Sequence, residues 1–296
     1  MQKIKKSLQI DLGHSCNNNC VFCMDYGHSN HPKETPIDYY LNLLNKNSGN
    51  FDRLVFAHNE PTLNDYLPEL IARAKQLKYP QIMLITNGRR LSYLSYLDGL
   101  IEKGLEILGI SVHGENADLH DSLTQVPGSF EQTLSGIKNA SLRRKENKLK
   151  HFTIHTAVIK SNCSHIAKIY SFLLKFDPDR IIYNFFKPKC EAKKYIKELM
   201  PSYSEFAKQL KEIATNYKQP KFHSPTLPFC ILEELKEYIG GMESGHINLR
   251  GKLQANSDSE MHKLDVCEQC KYYYSCPGIM NGYTEIYSDS EFKPIC

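Results

Sequence analysis

The sequence predicts an α/β protein, a partial (β/α)6 TIM barrel followed by a small cysteine-rich C-terminal domain. Three observations predict it. Short apolar strands alternate with helical stretches over most of the chain. Polar residues recur where those strands end. Cysteines gather near both ends of the chain, Cys16, Cys20 and Cys23 at one and Cys267, Cys270 and Cys276 at the other.

The elements follow in order. "SLQIDLG" (7–13) alternates as a strand. "TPIDYYLNLLNK" (35–46) reads as a helix, with Thr35 as its cap and Pro36 at its first position. "DRLVFAHNE" (52–60) is a strand and "NDYLPELIARAKQLKY" (64–79) a helix. "QIMLITNG" (81–88) and "EILGISVHG" (106–114) are strands flanking a helix near 92–103. "SFEQTLSGIKNASLRRKEN" (129–147) opens with Ser129 three residues before Gln132, the pattern of a capping box. "HFTIHTAVIK" (151–160) and "DRIIYNFFKP" (179–188) complete six strands, with a helix at 165–176 between them. Strands joined by helices pair in parallel, and such barrels gather their chemistry at the carboxyl ends of the strands.

Composition sets the class. The 296 residues are 41% hydrophobic and 24% charged, as in an ordinary globular protein. A net charge of +4 demands no nucleic acid, and the basic runs at 3–6 and 141–150 read as solvated faces. No stretch approaches the roughly 20 apolar residues of a membrane helix. The basic N-terminus has too short an apolar run for a signal peptide. A cytoplasmic location is expected, where ten cysteines are metal ligands or reactive thiols rather than disulfides.

"HSCNNNCVFCMD" (14–25) admits three readings. A zinc ion on Cys16, Cys20, Cys23 and one of His14, His28 or His31 would close a four-ligand site, although only Cys20 and Cys23 form the usual paired unit. A redox CxxC leaves Cys16 unexplained. A cubane iron–sulfur cluster on three thiolates leaves one of its four irons without a protein ligand, a place to bind a small molecule.

The residues themselves resemble a known family. CxxxCxxC after a first strand, with Phe22 before the last cysteine, resembles the radical S-adenosylmethionine (SAM) enzymes. "HNEPT" (58–62) stands where that family has Gly-Gly-Glu-Pro; Glu60 and Pro61 are kept, while His58 and Asn59 replace the glycines. "ITNG", "SVHG", "HDSLTQVPGSFEQTLSGI" and "AVIKSN" extend the likeness over residues 7–190. The resemblance implies a [4Fe–4S] cluster on Cys16, Cys20 and Cys23 that chelates SAM, and cleavage of SAM to a 5′-deoxyadenosyl radical that takes a hydrogen atom from substrate. It implies Glu60 on the SAM amino group and Ser111 or His113 at the ribose or carboxylate. Asn162 and Asn184 would meet the methionyl or adenine part, turn or cap chemistry being the alternative for both.

The periodic pattern stops at "NYKQPKFHSPTL" (216–227), which reads as a linker, so residues 1–215 are expected to form the barrel and 216–296 the second domain. Cys230 and then "CEQCKYYYSCPG" resemble the SPASM or shortened twitch extension. The tail has five cysteines where a full SPASM domain has seven. One auxiliary [4Fe–4S] cluster on Cys230, Cys267, Cys270 and Cys276 is therefore expected, ahead of terminal Cys296; structural zinc on the same thiolates is the alternative. Enzymes with this extension commonly modify peptides by crosslinking, epimerisation or oxidation, which makes a peptide the first expectation. A small molecule such as a cofactor or sugar is the second, and a zinc-binding structural protein a remote third. Flavodoxin or ferredoxin is the expected reducing partner. Cys190, in "FKPKC" after the sixth strand, is a candidate hydrogen-atom donor, with an inert thiol as the alternative.

Overall fold

A computed structural model describes residues 6–13, 15–24, 35–240, 246–247, 253–254 and 260–296. Seven parallel strands lie side by side in chain order: β1 (Ser7–Asp11), β2 (Arg53–Ala57), β3 (Ile82–Thr86), β4 (Ile107–Ser111), β5 (His151–Val158), β6 (Arg180–Phe185) and β7 (Phe222–His223). The crossovers carry α1 (Ile37–Asn47), α2 (Leu67–Gln76), α3 (Leu94–Lys103), α4 (Ala117–Thr124), α5 (Ser129–Lys145), α6 (Ile166–Leu173), α7 (Ile196–Leu199) and α8 (Tyr203–Asn216). Parallel neighbours joined by helices in sequence order make a partial TIM barrel.

The seventh strand lies inside the stretch read as a linker. Two residues are too few to show a period, but Phe222 is buried between Tyr170 and Tyr183 and pairs in register with Ile181. Packing rather than local pattern makes this strand, and it carries the sheet past residue 215. α4, α7 and α8 add to the expected helices. α4 and α8 are each set by a side-chain cap: Asn116 accepts from the Leu119 N–H at 2.9 Å, and Ser202 from the Glu205 N–H at 3.3 Å.

Two expected caps are corrected. α1 starts at Ile37 with Pro36 in the cap position, and no side chain caps it. The Thr35 side chain hydrogen-bonds the Tyr40 phenol instead. α5 has Gly128 as its cap, not a Ser129–Gln132 box. Asp121, from α4, takes the free N–H groups of Gly128 and Phe130 at 2.6 and 2.7 Å, and the Ser129 hydroxyl at 2.7 Å. A carboxylate answers those donors better than a neutral hydroxyl, and it ties the two helices together.

The sheet sorts its side chains by face, because alternate residues of a strand point oppositely. Leu8, Ile10, Leu54, Phe56, Leu84, Leu108 and Ile154 bury against Leu44, Leu70, Ile71, Leu97 and Ile137 of the helices. Val55, Ala57, Met83 and Ile107 form a second, smaller apolar cluster on the inner face. Further along that face the row Ser111, His155, Ile182 and His223 is in register, with Ala157 and Asn184 above it. Gly109 makes this row possible: a Cβ there would lie 2.7 Å from His155 Nε2.

The tail docks on the end of the barrel. Tyr203 of α8 stacks on Phe185 at 4.1 Å, and its N–H donates to the Tyr283 hydroxyl at 3.0 Å. Met280 N–H donates to the Tyr203 hydroxyl, also at 3.0 Å, from a short antiparallel pair of Met261–His262 with Ile279–Met280. Glu260 forms ion pairs with Lys187 and Lys189, just beyond β6. No helix among the described residues is long and apolar enough to cross a membrane.

Candidate functional site

The cysteine loop leaves β1 through Gly13, whose φ of +83° only glycine adopts without strain. Its backbone is then pinned from several sides. Asn19 N–H donates to Thr124 O at 2.9 Å and Val21 N–H to Leu123 O at 3.0 Å, both at the end of α4. Glu60 N–H donates to Ser15 O at 3.0 Å. The Asn18 N–H points at Cys16 Sγ, 3.4 Å away. Phe22 sets its edge against the His113 ring, centroids 4.7 Å apart. Burial, then the neighbouring Cys16 and Cys23, push the Cys20 thiol up. Thiols that hinder one another's ionisation are suited to a cationic iron–sulfur core, which displaces their protons. His14, His28 and His31 lie outside the described residues.

The turn after β2 shows how the chain manages without two glycines. His58 and Asn59 both adopt the left-handed conformation, with φ of 69° and 46°. Asn59 tolerates it better than most residues and uses its amide to hold Gly13 O at 2.9 Å. His58 Nε2 lies 3.7 Å from Asp11 Oδ1. Both side chains thus tie this turn to the end of β1, where the cysteine loop begins.

That turn delivers Glu60 into the interior, 1% exposed. Its Oε1 accepts from Thr62 N–H at 3.1 Å and from the hydroxyls of Thr62 and Thr86, each at 2.6 Å. Its Oε2 accepts one bond, from Asn87 N–H at 2.7 Å. Burial pushes this carboxyl up and the four hydrogen bonds oppose it. All four donors are neutral, and Oε2 keeps an accepting position for a cation.

The remaining predicted contacts separate. His113 is buried, with Nδ1 accepting from Ala157 N–H at 3.2 Å; Nε2 therefore carries the proton. Ser111 and Asn184 stand half-buried on the inner face. Asn162 is corrected to a turn residue. Its Nδ2 donates to the carbonyls of His113 and Ala157, its Oδ1 accepts from Ile159 N–H, and it is fully buried. Cys190 adopts φ of +48°, and its thiol donates at 3.1 Å to the carbonyl of Met24, the residue that follows Cys23. Cys163 is buried in the core.

In the tail, Cys230, Cys267, Cys270 and Cys276 line one cavity with Phe229, Tyr273, Ile279 and Lys263. Burial, then Cys276, Cys267 and Cys270, push the Cys230 thiol up to about 12, so all four thiols are neighbours. Cys296 is exposed and lies outside the cavity lining. Among the described residues, no group of three or more His, Cys, Asp or Glu side chains is placed to hold a single metal ion.

Several residues of the site stand outside the predicted set. Thr62, Thr86 and Asn87 hold Glu60, and only the quoted "TNG" marks two of them. His120 stacks on His113 at 5.7 Å, and its Nδ1 accepts from His113 N–H at 3.2 Å. Its Nε2 is buried without a partner among the described residues.

These histidines are expected to make the fold acid-sensitive. Burial depresses His120 and His155 to about 4, and pushes His113 well below the usual range. A histidine with a depressed folded pKa binds its proton more readily when unfolded. Its stabilising contribution is therefore present above about 6.5 and is lost as pH falls toward 4. Thermal melts of the apo protein should show Tm falling between pH 7 and pH 5, and His155→Phe should flatten that slope. A wild-type Tm that holds steady over this range would contradict the assignment.

Comparisons with known proteins come to the same elements. Residues 10–173 match the family model described as "Radical SAM superfamily". A "Probable GTP 3′,8-cyclase" of Saccharolobus islandicus (strain Y.N.15.51 / Yellowstone #2) is 26% identical over 287 residues, covering 91% of this chain and 88% of the relative. An "AdoMet-dependent heme synthase" of Methanosarcina barkeri (strain Fusaro / DSM 804) is 30% identical over 172 residues, 57% of this chain and 47% of the relative. Among solved structures, Streptococcus suis SuiB bound to S-adenosylmethionine matches with a TM-score of 0.68 at 15% identity, covering 98% of this chain and 76% of SuiB. Native anSMEcpe with bound AdoMet matches with a TM-score of 0.67 at 17% identity, covering 97% and 92%.

Proposed function

The chain belongs to the radical SAM superfamily, and from that premise we propose that it is an enzyme whose substrate is a small molecule. The observation that carries the substrate class is the length of the likeness to relatives named GTP 3′,8-cyclase. It runs over 91% of this chain and takes in the tail as well as the barrel. The order expected from the SPASM-like tail, peptide first, is reversed on that ground. SuiB bound to its precursor peptide is also a structural neighbour, but at 17% identity it speaks for the fold alone.

Cys16, Cys20 and Cys23 would hold the [4Fe–4S] cluster, and Cys230, Cys267, Cys270 and Cys276 the auxiliary one. When bound, the cluster and SAM supply reductive cleavage of the sulfonium and a 5′-deoxyadenosyl radical that takes a hydrogen atom from substrate. The chain's own residues bind and orient. Glu60 offers Oε2 to the SAM ammonium, and His113 offers Nε2–H. Ser111 and Asn184 stand on the inner face where SAM and substrate meet. The four tail thiols line one cavity and supply the four ligands a cubane takes, with structural zinc on the same thiolates as the alternative. Cys190 stands at the barrel mouth beside the cysteine loop, the place for a thiol that returns a hydrogen atom to substrate. An acidic flavodoxin or ferredoxin would supply the electron.

GTP is the first probe. Anaerobically reconstituted protein given SAM and reductant should form 5′-deoxyadenosine faster with GTP present and should consume the nucleotide. The reading fails if GTP and other small molecules leave the rate unchanged while a peptide is modified.

A further inference from the structure

Arg89 follows "TNG" at the end of β3, and its guanidinium reaches across to the cysteine loop. Nη1 donates to Asn17 O and, at 2.9 Å, to Asn18 Oδ1, inside the span between Cys16 and Cys20. Nε donates to Gln132 Oε1 on α5 at 2.7 Å, and the Arg89 N–H to Asn87 Oδ1 at 3.0 Å. Asn87 in turn donates from Nδ2 to Asn17 Oδ1 at 2.6 Å and from its N–H to Glu60 Oε2. One network therefore joins Glu60, the proposed contact of the SAM ammonium, the Arg89 cation and the loop between two cluster ligands. The three asparagines of "CNNNC" have separate tasks in it. Asn17 meets Asn87 and Arg89, Asn18 meets Arg89 and turns its N–H toward Cys16 Sγ, and Asn19 bonds the end of α4.

Among the described residues the charge of Arg89 has no answer. Every hydrogen-bond partner it has among the described residues is neutral, and it forms no ion pair with a described carboxylate. A half-buried cation without a counter-ion is costly. The missing counter-charge fits what the neighbouring cysteines hold. A cubane on three thiolates is anionic, and gains a further negative charge when it takes an electron.

We propose that Arg89 is a positioning residue that raises the reduction potential of the cluster on Cys16, Cys20 and Cys23. Its cation favours the reduced state, and its bonds to Asn17 and Asn18 hold that charge beside the cysteine loop. Net charge is one of the protein's levers on such potentials. The inference rests on the reading of the triplet as the SAM-binding cluster.

The test uses the full reconstituted chain, with iron and sulfide assayed first. An EPR-monitored redox titration then follows the signal that responds to added SAM. Arg89→Gln removes the charge, and Arg89→Lys keeps it while losing the fork. At a fixed ambient potential the reduced-to-oxidised ratio should fall about tenfold in Arg89→Gln, which is about 59 mV for a one-electron couple, and stay near wild type in Arg89→Lys. If Arg89→Gln takes up no iron, a loaded Arg89→Lys at the wild-type ratio still supports the inference. An unchanged ratio in loaded Arg89→Gln, an equal fall in Arg89→Lys, or loss of iron from both variants overturns it. A wild-type chain with no SAM-responsive signal overturns the reading of the triplet itself, and the inference with it.

Discussion

Protein in which Cys16, Cys20 and Cys23 are together replaced by Ala is expected to form no 5′-deoxyadenosine and to keep about half of its iron. The wild type should hold about eight irons and eight sulfides per chain, four for each cubane. Of the other described cysteines of the barrel, Cys163 is sealed in the core and Cys190 alone reaches the loop, at Met24 O, and one thiol cannot replace three. The tail cavity is built from Phe229, Tyr273 and Ile279 with its own four thiols, and should load independently. Replacing Cys230, Cys267, Cys270 and Cys276 by Ala should remove the other half of the iron. Iron and sulfide analysis of the two variants beside the wild type checks both. Zinc in place of iron in the triple variant would refute the auxiliary cluster and leave the family assignment intact.

Glu60→Gln should weaken SAM binding by about ten- to a hundredfold while iron stays near the wild-type level. A charge-assisted hydrogen bond is worth about 1.5–3 kcal/mol, and about 1.4 kcal/mol is one decade of affinity. Oε1 is already saturated by Thr62 and Thr86, so the SAM ammonium meets Oε2, the oxygen with a single protein donor. An amide also sets N–H groups against those same donors, which costs about 1–3 kcal/mol of fold stability. Equilibrium binding of SAM, corrected for the folded fraction from a melt at the same temperature, separates the two losses. Unchanged affinity would move the ammonium contact away from Glu60.

Six of the seven strands are legible in the sequence because each presents either an apolar run between turn residues, as "ILGIS" does, or a strict alternation, as "HFTIHTAV" does. β7 was not, because Phe222 and His223 are a strand only by leaning on β6. The caps failed in sequence for a related reason. Nothing near Ser129 in the chain announces that Asp121 will reach its helix. The site divides the same way. Glu60 could be read from its neighbour Pro61 and the strand before it, whereas the donors that saturate it come from two different loops. Asn162 looked like a cofactor contact because it follows a strand, but its amide closes the turn after β5. Cys230 is separated in sequence from the other tail thiols, and only folding shows that it lines their cavity while Cys296 does not.

A SAM-cleaving cluster on Cys16, Cys20 and Cys23 stands or falls on chromatography of 5′-deoxyadenosine. The wild-type chain is reconstituted anaerobically with iron and sulfide and mixed with SAM, with and without dithionite. 5′-Deoxyadenosine and methionine are expected in equal amounts, only with reductant, and none from the triple cysteine variant. Wild-type protein carrying its full iron and sulfide that leaves SAM intact under reductant, with GTP present or absent, would contradict it.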